Sequence, residues 1–195
     1  MQKDLEYIYS LRKYILASAG IFVFSLLIGV LVSALNPQAS EGLFQMLKEA
    51  FSRITTLDPF ERMLEIFKNN VRNSLMALVL GIIFCIVPFI IAASNGLVLG
   101  MLAEIVSRQQ GVLFVVAALL PHGIIELPMV LISVGIGLRL GHAMYLLLKG
   151  MRIDITQELI QGMWFYIRWV VPLLLVAAAI ESYVTPLVVS RFTGF

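Results

Sequence analysis

Residues 14–35 read YILASAGIFVFSLLIGVLVSAL, 22 consecutive positions without a charged side chain. A helix needs about 20 apolar residues to cross the hydrocarbon core of a bilayer, so this stretch predicts a membrane span. Lys3, Arg12 and Lys13 precede it, and Val32-Ser33-Ala34 resembles a signal-peptide cleavage site. The apolar run exceeds the length of a signal peptide's hydrophobic region, which predicts an uncleaved helix. The rest of the chain agrees with a membrane class. Of its 195 residues 60% are hydrophobic and 13% charged, and the mean hydropathy is +0.95. Soluble domains lie nearer about 45–50% apolar and about 25% charged, so too little polar surface remains here to cover a soluble globule. A lone cysteine, Cys85, excludes an internal disulfide framework. The net charge of +2 comes from scattered residues rather than a basic stripe, and nucleic acid is therefore not an expected partner.

Residues 74–93 supply 20 more uncharged positions. Beyond them the pattern fragments. Ser94-Asn95-Gly96 signals a turn, residues 97–106 are apolar except for Glu104, residues 107–111 are polar, and residues 112–120 are apolar again. Pro121-His122-Gly123 signals a second break, and residues 124–148 carry Glu126, Arg139 and His142. The last span starts at Trp164, Phe165, Tyr166 and Trp169, an aromatic cluster suited to a membrane interface, and contains Glu181. The pieces 97–106 and 112–120 each reach only about 15 Å at helical rise. They form either a re-entrant hairpin with residues 107–111 at a buried tip, beside four crossings, or one interrupted span among five. The predicted class is all-α, a polytopic transmembrane helical bundle of four to six membrane segments. It forms a single integral membrane domain over residues 1–195, in a multi-pass protein of the cell membrane. Four crossings put four Lys and Arg on one side and seven on the other, five crossings give a near tie, and no orientation is assigned.

Residues 36–73 have helical spacing, with Leu43, Leu47, Ala50, Phe51 and Ile54 on one face. Asp58-Pro59-Phe60-Glu61 supplies an N-cap, a proline at the first helical position and an acid at the third. Phe60, Met63, Leu64, Phe67 and Val71 continue an apolar stripe. The segment is expected to be an amphipathic extramembrane element, lying on the membrane or offering Phe51, Phe60 and Phe67 to a partner protein. Gly135, Gly137 and Gly141 predict close helix packing.

An ionisable side chain inside the bilayer costs at least about 2.5–3.5 kcal/mol on insertion scales, so it normally faces the protein interior. Arg139 and Arg168 are expected to snorkel toward headgroups. Glu104, Glu126 and Glu181 are harder to dismiss, and His122 and Glu126 stand four apart on one helix face. The hairpin layout brings the three acids and His122 into one half of the bundle, with Arg108 as a counter-charge. The remaining negative charge is covered by protons, a bound cation, or the donors of Asn95, Gln109 and Gln110. Three readings stand side by side: satisfied core pairs, Glu104 with Arg108 and Glu126 with His122; a proton or monovalent cation site; and a divalent metal site. A histidine and a carboxylate at that spacing can hold zinc, although two ligands alone are a weak signal. No cofactor is certain, and no phosphate loop or nucleophile elbow points to an enzyme.

Three segments carry a family resemblance: Phe67-Lys68-Asn69-Asn70-Val71-Arg72-Asn73-Ser74, then Asn95-Gly96-Leu97-Val98-Leu99-Gly100, then Pro121-His122-Gly123-Ile124-Ile125-Glu126-Leu127-Pro128. In type, spacing and order the chain resembles the stage II sporulation protein M family of small multi-pass membrane proteins. The resemblance implies a non-enzymatic membrane scaffold, since the family's namesake holds cell-wall hydrolases together during engulfment in spore-forming bacteria. It implies motif roles for Asn69, Asn70, Asn95, Gly96, Pro121 and Gly123. Besides lipids, the expected partners are other proteins and a second copy in a homodimer. The alternatives are an ion or small-solute transporter, resting on broken helices beside intramembrane carboxylates, and a metal-binding membrane protein centred on His122 and Glu126.

Overall fold

The computed structural model describes residues 2–38, 40–42, 44–46, 49 and 56–191, and it is all-helical with no strand among them. The helices are α1 (Gln2–Leu35), α2 (Pro59–Val79), α3 (Ile86–Gln110), α4 (Val112–Leu148) and α5 (Ile155–Ser190), with further helical turns between residues 37 and 49. α1, α3, α4 and α5 are long and apolar enough to cross a membrane. This is the all-α bundle the composition predicts. Phe51 and most of the apolar face expected around it lie outside the described residues.

Local chemistry explains the helix ends. Asp58 accepts hydrogen bonds from the backbone N–H groups of Phe60 and Glu61, and Pro59 occupies the first turn, so α2 starts where its sequence predicts. A tight turn at Leu80–Ile82 ends it, and the chain then reverses through Phe84 and Cys85 at φ 46° and 64°. A left-handed residue with a side chain costs roughly 1–2 kcal/mol. The cost is met by close packing: Gly137 and Gly141 of α4 leave room for the backbone of Ala77, Gly81 and Cys85, and the Cys85 thiol donates to the Leu138 carbonyl at 3.3 Å. Gly111, at φ 88°, makes the single-residue turn from α3 to α4.

The structure corrects four expectations. Asn95-Gly96 lies inside α3, Pro121-His122-Gly123 lies inside α4, and the real break falls at residues 80–85, within the stretch read as one span. Gly96 acts as a packing residue. A Cβ there would collide with the Phe22 carbonyl of α1, and one at Gly100 with that of Leu26, so the pair forms a small-xxx-small contact. Pro121 and Pro128 remove backbone donors without ending α4, as membrane-type helices allow when neighbours satisfy the freed groups. Residues 107–111 form no buried hairpin tip. They join two full-length helices, and residues 108–111 are exposed.

The register of contacts sets the topology. Phe22, Leu26 and Ser33 of α1 meet Gly96, Gly100 and Glu104 of α3 in rising order, so these two helices run parallel. α2 runs with α4, Ala77 meeting Gly137, and against α5, where Pro59 meets Ser182 and Val71 meets Tyr166. α4 opposes α5, with Arg139 bonded to Glu158 and His122 facing Thr185. α1, α3 and α5 therefore point one way and α2 and α4 the other. Residues 59–73, expected outside the bundle, are part of a helix that runs along it. The main core gathers Leu11, Leu78, Ile136, Leu140, Tyr166, Val170 and Leu174, with Phe67 packed against it. It lies about 15 Å along α4 from Glu126, by helical rise.

Candidate functional site

His122 and Glu126 occupy adjacent turns of α4, and Glu181 comes from α5. A ligand atom from each lies within 4.8 Å of the other two, and all three residues are partly buried. They open onto a cleft of about 280 Å³ that is also lined by Asn69, Asn70 and Asn73 of α2 and Asn95 of α3. Two carboxylates and an imidazole facing one point need a counter-charge. Asn70 approaches Glu126, but its buried amide nitrogen makes no well-formed hydrogen bond. The cleft thus holds a ligand set with an amide donor beside it.

The backbone of α5 explains how Glu181 arrives. Ile180–Val184 is π-helical, and the Thr185 N–H bonds the Ile180 carbonyl five residues back. Pro186 follows. A proline ring crowds the carbonyl four residues earlier and has no N–H of its own, so the helix widens just ahead of it. A second π segment, Tyr166–Val170, stands before Pro172 in the same way. The hydroxyl of Thr185 donates to the Ile180 carbonyl at 3.3 Å. Its oxygen is then an acceptor for His122 Nδ1, at 3.5 Å. In the tautomer that carries its proton on Nδ1, the Nε2 lone pair faces a ligand.

Glu104 and Arg108 do not join this group. Arg108 Nε pairs with Glu104 Oε1 at 2.5 Å, the Ser33 hydroxyl donates to Glu104 Oε2 at 2.6 Å, and Arg108 Nη2 donates to the Ser33 carbonyl at 2.8 Å. They tie the ends of α1 and α3 together, and Arg108 offers the cleft no counter-charge. Two of the three expected acids meet, because α3 and α4 run full length past each other and no hairpin brings Glu104 back. Arg139 does not snorkel: it pairs with Glu158 at 2.7 Å and donates to Ser10 at 2.6 Å. Arg168, largely exposed, lies 3.5 Å from Asp4. His142 Nδ1 sits 2.7 Å from the Tyr14 hydroxyl. Of the motif positions, Asn69, Asn70 and Asn95 line the cleft, Gly96 packs against α1, and Pro121 and Gly123 lie within α4, Gly123 facing an apolar groove. Phe60 is exposed, whereas Phe67 packs on the core. Sequence reading missed Thr185; its signal is the Thr-Pro pair at 185–186 inside an apolar helix.

A model of the family described as Stage II sporulation protein M matches residues 18–186, most of the chain. The chain belongs to that family. No curated protein and no solved structure matches it. All three segments that carried the resemblance fall inside the matched range, and they supply His122, Glu126 and the asparagines of the cleft. Glu181 also falls within that range.

Proposed function

We propose that this member of the Stage II sporulation protein M family is a multi-pass protein of the cell membrane that binds a divalent cation inside its bundle. The observation that carries this reading is the approach of His122, Glu126 and Glu181 to within 4.8 Å of one another. One nitrogen and two carboxylate donors, with no thiolate among them, suit zinc, manganese or iron(II). Two carboxylates balance a dication, so the occupied site is nearly neutral where unbalanced charge is expensive. Three protein ligands also leave a coordination position for water or another small donor. Elemental analysis of the purified protein in detergent tests the reading directly. Near-stoichiometric divalent metal is expected in the wild type and a loss of at least tenfold in Glu126→Gln and Glu181→Gln. A metal-free wild type that also fails to take up added manganese or zinc rejects it.

Family membership supports a second role beside the first, that of a non-enzymatic scaffold recruiting partner proteins. Phe60, exposed at the start of α2, is the docking residue among the described ones, while Phe67 is committed to the core. On this reading a cation between α4 and α5 stiffens the scaffold, and partner proteins or a second copy bind around α2. Phe60→Asp should reduce partner recovery in a pull-down; unchanged recovery counts against α2 as the docking element.

A further inference from the structure

We infer that the polar edge of α2 walls a water-filled route by which a hydrated divalent cation reaches His122, Glu126 and Glu181, an inference that rests on the cation-binding reading above. Glu65, Asn69 and Asn73 stand at intervals of four, one above another on the helix, and all three line the cleft. Asn95 of α3 lines it too. Beside this ladder Glu61, Lys68 and Arg72 are exposed. The charges there are paired only along the helix: Lys68 bonds Glu65 at 2.8 Å with side chains 66% and 49% exposed, and Arg72 donates to Asn69 at 3.3 Å.

The depth of this edge is what makes it informative. α2 touches α5 at Ser182 near its start and at Tyr166 beyond its middle. The charged residues between those contacts run alongside the apolar length of α5, at the level where lipid tails would otherwise lie. α2 also has to travel the bundle, because α1 ends beside the end of α3 while α3 begins at the other end. Polar side chains at membrane depth are stable where they face protein or water. No other described element covers this edge, and it leads to the one three-residue ligand cluster among the described residues. Amide oxygens and a carboxylate can replace part of an ion's hydration shell on the way in.

Substituted-cysteine labelling in proteoliposomes tests the route. In a Cys85→Ala background, Asn69→Cys and Asn73→Cys are exposed to a membrane-impermeant cationic methanethiosulfonate. Phe24→Cys, on the exposed apolar face of α1, is the lipid-facing comparison. Labelling at positions 69 and 73 should be at least tenfold faster than at 24, and saturating manganese(II), which has little affinity for thiols, should slow it at 73 by threefold or more. Rates at 69 and 73 no faster than at 24, in protein that still binds manganese, overturn the route and leave the site standing. Fast labelling that manganese does not slow, in protein that binds manganese, also overturns it. Spontaneous intermolecular disulfides at Lys68→Cys in place of labelling assign the edge to a second copy and overturn it as well. Protein that binds no manganese fails the underlying site reading instead.

Discussion

Thr185 has one hydroxyl proton and stands beside His122 Nδ1 at 3.5 Å. Because that proton is turned to the Ile180 carbonyl, the oxygen is left to accept from Nδ1. Thr185→Val should therefore weaken divalent-cation binding by about 10–100-fold, the usual size of an outer-sphere effect. Thr185→Ser should keep most of the affinity. Manganese titration calorimetry separates the two, and equal affinities for Val and Ser would show that the hydroxyl orients nothing. Arg139 makes a different kind of contact. It is part-buried and satisfies Glu158 and Ser10 together, so Arg139→Gln leaves a carboxylate short of its partner. A loss of about 1–3 kcal/mol in detergent unfolding is expected, less than for a fully buried pair because water still reaches both groups. Nothing local to Arg139 warns of this pair: alone it reads as a snorkelling residue, and only Glu158 on the facing helix makes it a pair.

At the scale of elements, glycine and proline meant something other than their local statistics suggest. Gly96 reads as a turn beside Asn95, yet it is where α1 and α3 come closest. Gly96→Leu and Gly100→Val should push the two helices apart and lower the thermal midpoint sharply, a loss of more than about 3 kcal/mol by the overpacking mechanism. Gly20 on α1 has nothing within 4 Å of an added Cβ. Gly20→Ala should be neutral or stabilise by about 0.5–1 kcal/mol through helix propensity. Similar losses at Gly20 and Gly96 in a fluorescence-detected melting series would contradict the packing account. The prolines of α5 illustrate the same point. Pro186 does not end the helix; it widens the turn ahead of it, and that widening turns Glu181 and Thr185 toward His122.

For the whole molecule, the alternation of helix directions makes a topological prediction. Five traverses put the start of α1 and the end of α5 at opposite ends of the bundle, and the prediction is that the membrane separates them. Reporter fusions at the two termini, one active only inside the cell and one only outside, should give opposite assignments. The same assignment at both ends would mean that α2 does not cross. Hydropathy does not mark α2 as a span because it carries Glu61, Arg62, Glu65, Lys68 and Arg72. Of the helices that run along the bundle, it alone falls short of the composition of a span.

The membrane class, the first span, the last helix and the Asp58-Pro59 start of α2 were decided by composition, run length and capping chemistry, all of which act over a few neighbouring residues. The pairing of His122 with Glu126 was equally local, being one turn of one helix. Glu181 entering the site, Glu104 leaving it for Arg108 and Ser33, and charged α2 lying beside apolar α5 were settled only when five helices chose their neighbours. The physical reason is that helix packing in such a bundle is specified by close approach of backbones at small residues far apart in the chain. A glycine or proline by itself does not say whether it serves a turn or a contact.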